Sequence, residues 1–118
     1  MDCPYVFPKG FNIGIRAVVK IKVINSALVT VINIFSNICN KQGFALVLTG
    51  AYGEPIYPKG GYHDRGYAWD FVIVNKCDNK SIAHTLDGML KLIDSKYRVI
   101  FHNAGNGWHY HVEYRIEA

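Results

Sequence analysis

Two kinds of hydrophobic period alternate along the chain and predict its secondary structure. From residue 18 to 24, apolar residues alternate with Lys20 and Lys22, which is the period of a half-buried strand, although an extended lead-in is the alternative. Asn25 or Ser26 is then a natural N-cap, and the apolar residues that follow recur at spacings of three and four. That spacing predicts a helix, whose apolar face comprises Leu28, Val31, Phe35 and Ile38.

A long loop separates this helix and a short strand from the second half of the chain. Gly43 stands where the helix would stop, and the apolar run over residues 44–48 is consistent with a buried strand. Residues 50–62 contain four glycines and two prolines, so we expect a loop that leads to His63. Residues 68–74 have the pattern of the next strand.

The second half of the chain predicts another helix followed by a hairpin. Polar residues from 78 to 81 can cap the helix, and residues 97–101 and about 109–116 predict two strands. An Asn- and Gly-rich turn over residues 103–107 would join these strands. The apolar face of the helix would comprise Ile82, Leu86, either Met89 or Leu90, and Ile93.

This order of elements predicts a single α+β domain over residues 1–118, with residues 1–14 as an irregular N-terminal arm. The two helices would pack on one face of a small, mainly antiparallel sheet. The opposite face of the sheet would then be free to hold a site. A chain of 118 residues, half of them apolar, is long enough for one such core.

Charge and cysteine content narrow the function classes. The net charge is +4, and Lys and Arg are scattered along the chain, which favours a solvated surface. This pattern makes nucleic-acid binding the least favoured of the three function classes that the sequence suggests. A weak attraction to an anionic polymer such as a bacterial wall is compatible with this charge. Three widely spaced cysteines, Cys3, Cys39 and Cys77, form no disulfide framework and fit a reducing compartment. Without a recognisable secretory signal or membrane span, we expect synthesis in the cytoplasm.

The last predicted strand carries candidate metal ligands on one side. Side chains alternate between the faces of a strand, so His109, His111 and Glu113 share one side with Arg115. The other side would be core. Taken alone, a His-x-His pair is more often part of an amphipathic surface strand than of a metal site. The expected core side comprises Tyr110, Val112, Tyr114 and Ile116.

A second group of candidate ligands lies where the long loop meets the following strand. Gly66 permits a tight turn between His63 and Asp70, and Ala68 leaves room beside the carboxylate. The alternative is a capped turn followed by a strand whose Asp bonds to backbone. A His, an Asp and a second His would form a zinc site with an open position, which is typical of catalytic zinc.

Both motifs resemble those of a known group of zinc peptidases. Residues 61–63 and 68–71 resemble the Ser-Tyr-His…Ala-Trp-Asp-Phe pattern, and residues 97–100 and 109–114 resemble the Tyr-x-Val-Ile…His-x-His-Val-Glu-Tyr ending. These patterns belong to peptidases of peptidoglycan stem peptides, namely D-alanyl-D-alanine carboxypeptidases, phage L-alanyl-D-glutamate endolysins and penicillin-insensitive murein endopeptidases. The hedgehog signalling domain shares their fold and zinc site.

This resemblance implies a role for each histidine of the two motifs. His63, Asp70 and His111 would be the zinc ligands, and His109 would stand beside the substrate as a catalytic or transition-state-stabilising residue. The alternative for His109 is that it orients a ligand. Relatives carry a Glu general base shortly before the His-x-His pair. Here residues 101–108 contain no carboxylate, and His102 most nearly occupies that position, where an imidazole can also act as base.

Substrate-binding positions depart further from the family pattern. Gly61 replaces a frequent Ser, and no Arg lies between Arg16 and Arg65 to hold a substrate carboxylate. Lys59 or Arg65 would supply the positive charge, although a Lys lacks the bidentate fork of an Arg, which weakens the case for a strict carboxypeptidase. Two aromatic residues, Tyr62 and Trp108, would line the substrate groove or simply pack.

Two residues have expected roles away from substrate. Glu113 would orient a metal ligand or pair with Arg115, and His84 would be a surface residue of the second helix.

The sequence thus predicts a monomeric zinc peptidase acting on bacterial peptidoglycan peptides, as a carboxypeptidase or endopeptidase, with neither nucleic acid nor membrane as partner. A phage lysin released to the wall by a separate factor fits this description. The alternative is a non-catalytic zinc-binding module of the same fold that has lost the general base.

Overall fold

A computed structural model of the chain describes residues 5–6, 14–16, 25–50, 67–103 and 107–116. Strands β3 to β6 form a four-stranded antiparallel sheet, in the order β3-β4-β6-β5, to which β2 adds in parallel and β1 antiparallel. The α+β class is confirmed. The elements are β1 (Tyr5–Val6), β2 (Gly14–Arg16), α1 (Ser26–Gln42), β3 (Leu46–Gly50), β4 (Ala68–Ile73), α2 (Asn79–Ile93), β5 (Tyr97–Asn103) and β6 (Trp108–Tyr114).

Helix α1 begins and ends at the residues that its sequence predicts. The Asn25 side chain accepts a hydrogen bond of 2.9 Å from the backbone N–H of Leu28, which satisfies one of the unpaired donors of the first turn. The helix ends at Gly43, whose φ of 70° is the left-handed conformation that glycine adopts without steric cost.

The strands differ more from the sequence predictions than the helices do. The strand predicted for residues 44–48 begins at Leu46 and runs to Gly50, and the final strand ends at Tyr114 rather than Ile116. Residues 5–6, within the expected irregular N-terminal arm, form a strand. The sequence does not predict this strand, because two residues are too few to show a hydrophobic period. The strand predicted for residues 18–24 lies outside the described residues.

Both helices pack on one face of the sheet. The Phe35 ring of α1 lies 5.4 Å from the Phe71 ring of β4 and 5.0 Å from the Tyr110 ring of β6, between ring centroids. Helix α2 contributes Leu86 and Leu90 to the same cluster, together with Ala83. This arrangement confirms the predicted two-layer packing, and burial of these apolar side chains is its main stabilising term.

The apolar face of α2 is narrower at its C-terminal end than the sequence predicts. Of the predicted face, Leu86 and Leu90 are buried, whereas Met89 is 38% exposed and Ile93 is 59% exposed. Met89 and Ile93 lie at one margin of the face that Ala83, Leu86 and Leu90 form, and Ile93 is also the last residue of the helix. Among the described residues, no helix combines the length and apolar character needed to cross a membrane.

Hydrogen bonds from the helix layer fix the two strands that carry the histidines. The Tyr110 hydroxyl donates to the Asn79 side chain at 2.6 Å, at the start of α2, and the Val99 backbone N–H donates to Asp87 at 3.0 Å. Because buried hydroxyls need partners, the first contact also keeps Tyr110 in a single orientation. Strands β5 and β6 are therefore held against α2 from one side, and their other side is directed away from both helices.

Candidate metal centre

The polar side chains of three adjacent strands meet on the face opposite the helices. Backbone register places Asp70 of β4 directly opposite His111 of β6, and His102 of β5 directly opposite His109 of β6. Since side chains directly opposite each other in an antiparallel pair point to the same side, all four share one face. The predicted division of β6 into a polar side and a core side is confirmed for Tyr110 and Val112, which are fully buried, and Ile116, at 37% exposure, lies beyond the strand.

Asp70 and His111 form the closest pair of this face. Nδ1 of His111 lies 3.1 Å from Oδ1 of Asp70, and Asp70 is only 4% exposed. Two ligand atoms at about 2.1 Å from a tetrahedral zinc lie about 3.4 Å from each other. The observed separation is therefore close to that of two corners of a zinc site, and the nitrogen and oxygen donors are of the kind that zinc accepts.

His109 presents its second ring nitrogen to the same carboxylate. Its Nδ1 lies 2.9 Å from the backbone carbonyl oxygen of Gly107, and its Nε2 lies 3.7 Å from Oδ1 of Asp70. A carbonyl can only accept, so Nδ1 carries the hydrogen of this bond. In the neutral ring Nε2 then carries no hydrogen, and it is the ring nitrogen directed toward Asp70.

His102 completes the group of imidazoles. Its ring centroid lies 4.8 Å from that of His109 and 5.8 Å from that of His111. Burial, together with the neighbouring charges of His109 and His111 when protonated, lowers the pKa of His102 below its usual value. A lowered pKa favours the neutral ring, which is the form that can accept a proton.

Glu113 approaches His111 from the side opposite Asp70. Its Oε2 lies 3.6 Å from Nε2 of His111, and its Oε1 lies 3.2 Å from Nη1 of Arg98. The expected pairing of Glu113 with Arg115 is thus replaced by a pairing with Arg98, its direct cross-strand partner. The predicted hairpin does not identify Arg98, because a turn over residues 103–107 would set residue 97 opposite residue 113, one residue away from the observed register.

The two carboxylates determine the protonation of His111. Burial by itself lowers the pKa of this imidazole, but the hydrogen bond and charge of Asp70, followed by the charge of Glu113, outweigh it, and the pKa is raised. A proton on Nδ1 of His111 lies between that nitrogen and Asp70. A metal ion bound by the same two atoms must displace this proton.

The structure brings together part of the predicted site. Asp70, His102, His109 and His111 share one face, whereas His63, Lys59, Tyr62 and Arg65 lie outside the described residues. Within residues 25–50, 67–103 and 107–116, no three His, Cys, Asp or Glu side chains form a group that could hold a metal ion. A zinc site that includes Asp70 and His111 would therefore need a third ligand, for which His63 is predicted.

Trp108 lies away from the imidazoles. Its ring stacks on that of Phe101, with centroids 5.4 Å apart and an interplanar angle of 20°, and Trp108 is 59% exposed. Strand alternation places it on the same side as Tyr110, which faces the helices. This position agrees with packing, which is the alternative role for Trp108. A contact between Trp108 and substrate stays a prediction.

No protein-family model, curated protein or solved structure matches this chain. Its function is therefore inferred from the chemistry of the residues on this face and from the resemblance of its two motifs.

Proposed function

We propose that this chain is a zinc-dependent peptidase that hydrolyses peptide bonds in the stem peptides of bacterial peptidoglycan. One observation carries the proposal: Asp70 and His111 stand opposite each other with ligand atoms 3.1 Å apart, and His109 and His102 stand beside them. The substrate class follows from the motif resemblance. The proposal includes the fold shared by these peptidases and the hedgehog signalling domain.

The proposed zinc ligands are His63, Asp70 and His111. Zinc, when bound, supplies a Lewis acid that polarises the scissile carbonyl and activates water for attack. Asp70 and His111 fit this role because they offer one oxygen and one nitrogen from neighbouring strands of a rigid sheet. His63, at the end of the Gly-rich segment, would supply the third donor.

Proton transfer in this proposal falls to the two remaining imidazoles. His102, whose pKa is lowered, would take the proton from the attacking water, and it occupies the position of the family's Glu. His109 holds its hydrogen on Nδ1 toward Gly107 and would use Nε2 toward the reacting groups. Lys59 and Arg65 would attract a substrate carboxylate, and Tyr62 would contact the peptide.

Zinc binding and peptidoglycan cleavage by matched variants test this function. We expect the purified full-length chain to bind one zinc ion and to release peptide fragments from peptidoglycan, identified by mass spectrometry. His111→Ala should abolish both zinc binding and cleavage, whereas His102→Ala should keep zinc and lose cleavage. His84→Ala is the matched control, because that histidine is exposed on α2, outside the site. A zinc-loaded protein that leaves peptidoglycan and free stem peptides intact contradicts the proposal.

A non-catalytic zinc-binding module is the second candidate, and one observation favours it. On the face that carries the imidazoles, the described carboxylates are Asp70 and Glu113, and both already contact His111. Neither is free to replace the Glu base that the family places before its His-x-His pair. In this case zinc would bind and raise the unfolding temperature, but the chain would cleave no peptidoglycan. His102→Ala would then leave zinc affinity unchanged.

A further inference from the structure

We propose that Glu113 is a positioning residue for His111, and that Arg98 holds Glu113 in place. The carboxylate of Glu113 would accept the hydrogen on Nε2 of His111 and thereby leave Nδ1 available beside Asp70. This inference rests on the proposed zinc site, in which Nδ1 of His111 is the ligand atom. It assigns to Glu113 an influence on metal affinity without direct contact with the metal.

The backbone register provides space for this contact. Glu113 lies two residues beyond His111 on the same strand and face, opposite Ala68 of β4 on one side and Arg98 of β5 on the other. Ala68 is fully buried, and its methyl group is the smallest side chain that the position can carry apart from glycine. A larger residue there would compete with the Glu113 side chain for the space directly across the strand pair.

The ion pair with Arg98 explains how a carboxylate is retained in this buried position. Glu113 is only 6% exposed, and an unpaired buried charge is strongly unfavourable. Nη1 of Arg98 lies 3.2 Å from Oε1, while Oε2 is the oxygen that faces His111. Each carboxylate oxygen therefore has its own partner, and together the two contacts define the orientation of the carboxylate plane.

Glu113 and Asp70 compete for the single hydrogen of a neutral His111 ring. Asp70 lies 3.1 Å from Nδ1, so on its own it favours the tautomer with hydrogen on Nδ1, which cannot bind a metal through that atom. Glu113 lies 3.6 Å from Nε2 and favours the opposite tautomer, with hydrogen on Nε2. Removing the carboxylate at position 113 should therefore shift the ring toward the form that does not bind metal through Nδ1.

Two measurements on the full-length chain test the role of Glu113. The first is zinc affinity by competition with a chromophoric chelator, where Glu113→Gln should weaken binding about 10- to 100-fold. Arg98→Met should weaken it by a smaller factor, and Arg98→Lys should restore part of the loss. Asp87→Asn is the matched control, because Asp87 bonds to the Val99 backbone of β5 without contacting a histidine.

The second measurement is the tautomer of His111 in metal-free, ¹⁵N-histidine-labelled protein at a pH where the ring is neutral. Long-range ¹H–¹⁵N spectra should show a smaller fraction with hydrogen on Nε2 in Glu113→Gln than in the unsubstituted chain. Equal tautomer fractions, or zinc affinity within twofold in a folded Glu113→Gln protein, would overturn the proposal. If the unsubstituted chain binds no zinc, the proposed function fails, and the tautomer fractions still decide the role of Glu113.

A purely structural role for Glu113 predicts a different pair of results. Loss of the ion pair would then lower the unfolding temperature of Glu113→Gln without changing the tautomer fractions, and that outcome overturns the proposal. If Glu113→Gln fails to fold, Arg98→Met provides the test, since Arg98 is half-exposed and leaves the carboxylate in the chain.

Discussion

The two faces of the central sheet both bury side chains, but these side chains have opposite chemistry. On the helix side, Phe35, Phe71 and Tyr110 contact one another through their rings. On the other side, Asp70 and Glu113 are 4% and 6% exposed, and each carboxylate has a cationic or ring partner. Burying apolar rings stabilises the fold by itself, whereas burying carboxylates stabilises it only through their partners. The second face therefore carries buried groups that do not stabilise the fold by themselves, which is why we propose the site there.

The largest expected effect is on the helix-side face. Phe35→Ala should lower the free energy of unfolding by about 3–5 kcal/mol, because it removes a ring that contacts two others and leaves a cavity. Urea unfolding of the metal-free protein measures this change. In conditions where the variant is still folded, its zinc affinity should match that of the unsubstituted chain. A loss below about 1 kcal/mol would mean that the core is not centred on Phe35.

The next largest effect concerns the polar face. Asp70→Asn should weaken zinc binding by at least about 100-fold, because the amide offers zinc a neutral oxygen in place of a charged one. The same variant should lower the unfolding free energy of the metal-free protein less than Phe35→Ala does. Zinc competition and urea unfolding on the same samples check both expectations. The opposite ranking in stability would remove the distinction between the two faces.

The pH dependence of stability separates the faces further. Folding raises the pKa of His111, so protonated His111 stabilises the folded chain. This contribution to the unfolding free energy is complete below the pKa of the unfolded chain, about 6.5, and is lost as pH rises through the pKa of the folded chain. The pKa of His102 is lowered, so its protonation costs stability only as pH falls below about 6.5. The unfolding free energy of metal-free protein should therefore decline from about pH 6.5 upward, and His111→Gln should remove this decline.

Zinc should reverse the direction of that pH dependence. Zinc must displace the proton from Nδ1 of His111, so zinc affinity should increase over the same pH range in which the metal-free protein loses stability. Urea unfolding with and without zinc at several pH values measures both trends. A decline that persists unchanged in His111→Gln would assign it to another group.

The smallest expected effect is at Trp108. Its ring stacks on Phe101 but is 59% exposed, so Trp108→Ala should lower the unfolding free energy by only about 1 kcal/mol. Zinc affinity should stay unchanged, because Trp108 lies on the helix side of β6. A loss of zinc affinity comparable to that of Glu113→Gln would place Trp108 in the site instead.

The sequence predicts the helices and the two sides of β6 well because their signals are local. The N-cap Asn25, the terminal Gly43 and the alternation through Tyr110 and Val112 each depend on a few neighbouring residues. Strands β1 and β2 are too short to show a period, and the exposure of Ile93 depends on where α2 ends against the sheet.

The candidate site depends on contacts that no local pattern contains. Asp70 and His111 are opposite each other because β6 inserts between β4 and β5, and that order is a property of the whole sheet. The family resemblance predicts these two residues as partners without predicting the register. The pairing of Arg98 with Glu113 depends on the exact length of the hairpin turn, and the predicted turn over residues 103–107 differs from it by one residue.

The most direct test of the central claim is the crystal structure of the zinc-loaded chain, with anomalous diffraction measured at the zinc edge. The account predicts one anomalous peak about 2.0–2.2 Å from Oδ1 of Asp70, Nδ1 of His111 and a nitrogen of His63. A zinc ion bound elsewhere, or a peak that contacts neither Asp70 nor His111, would contradict it.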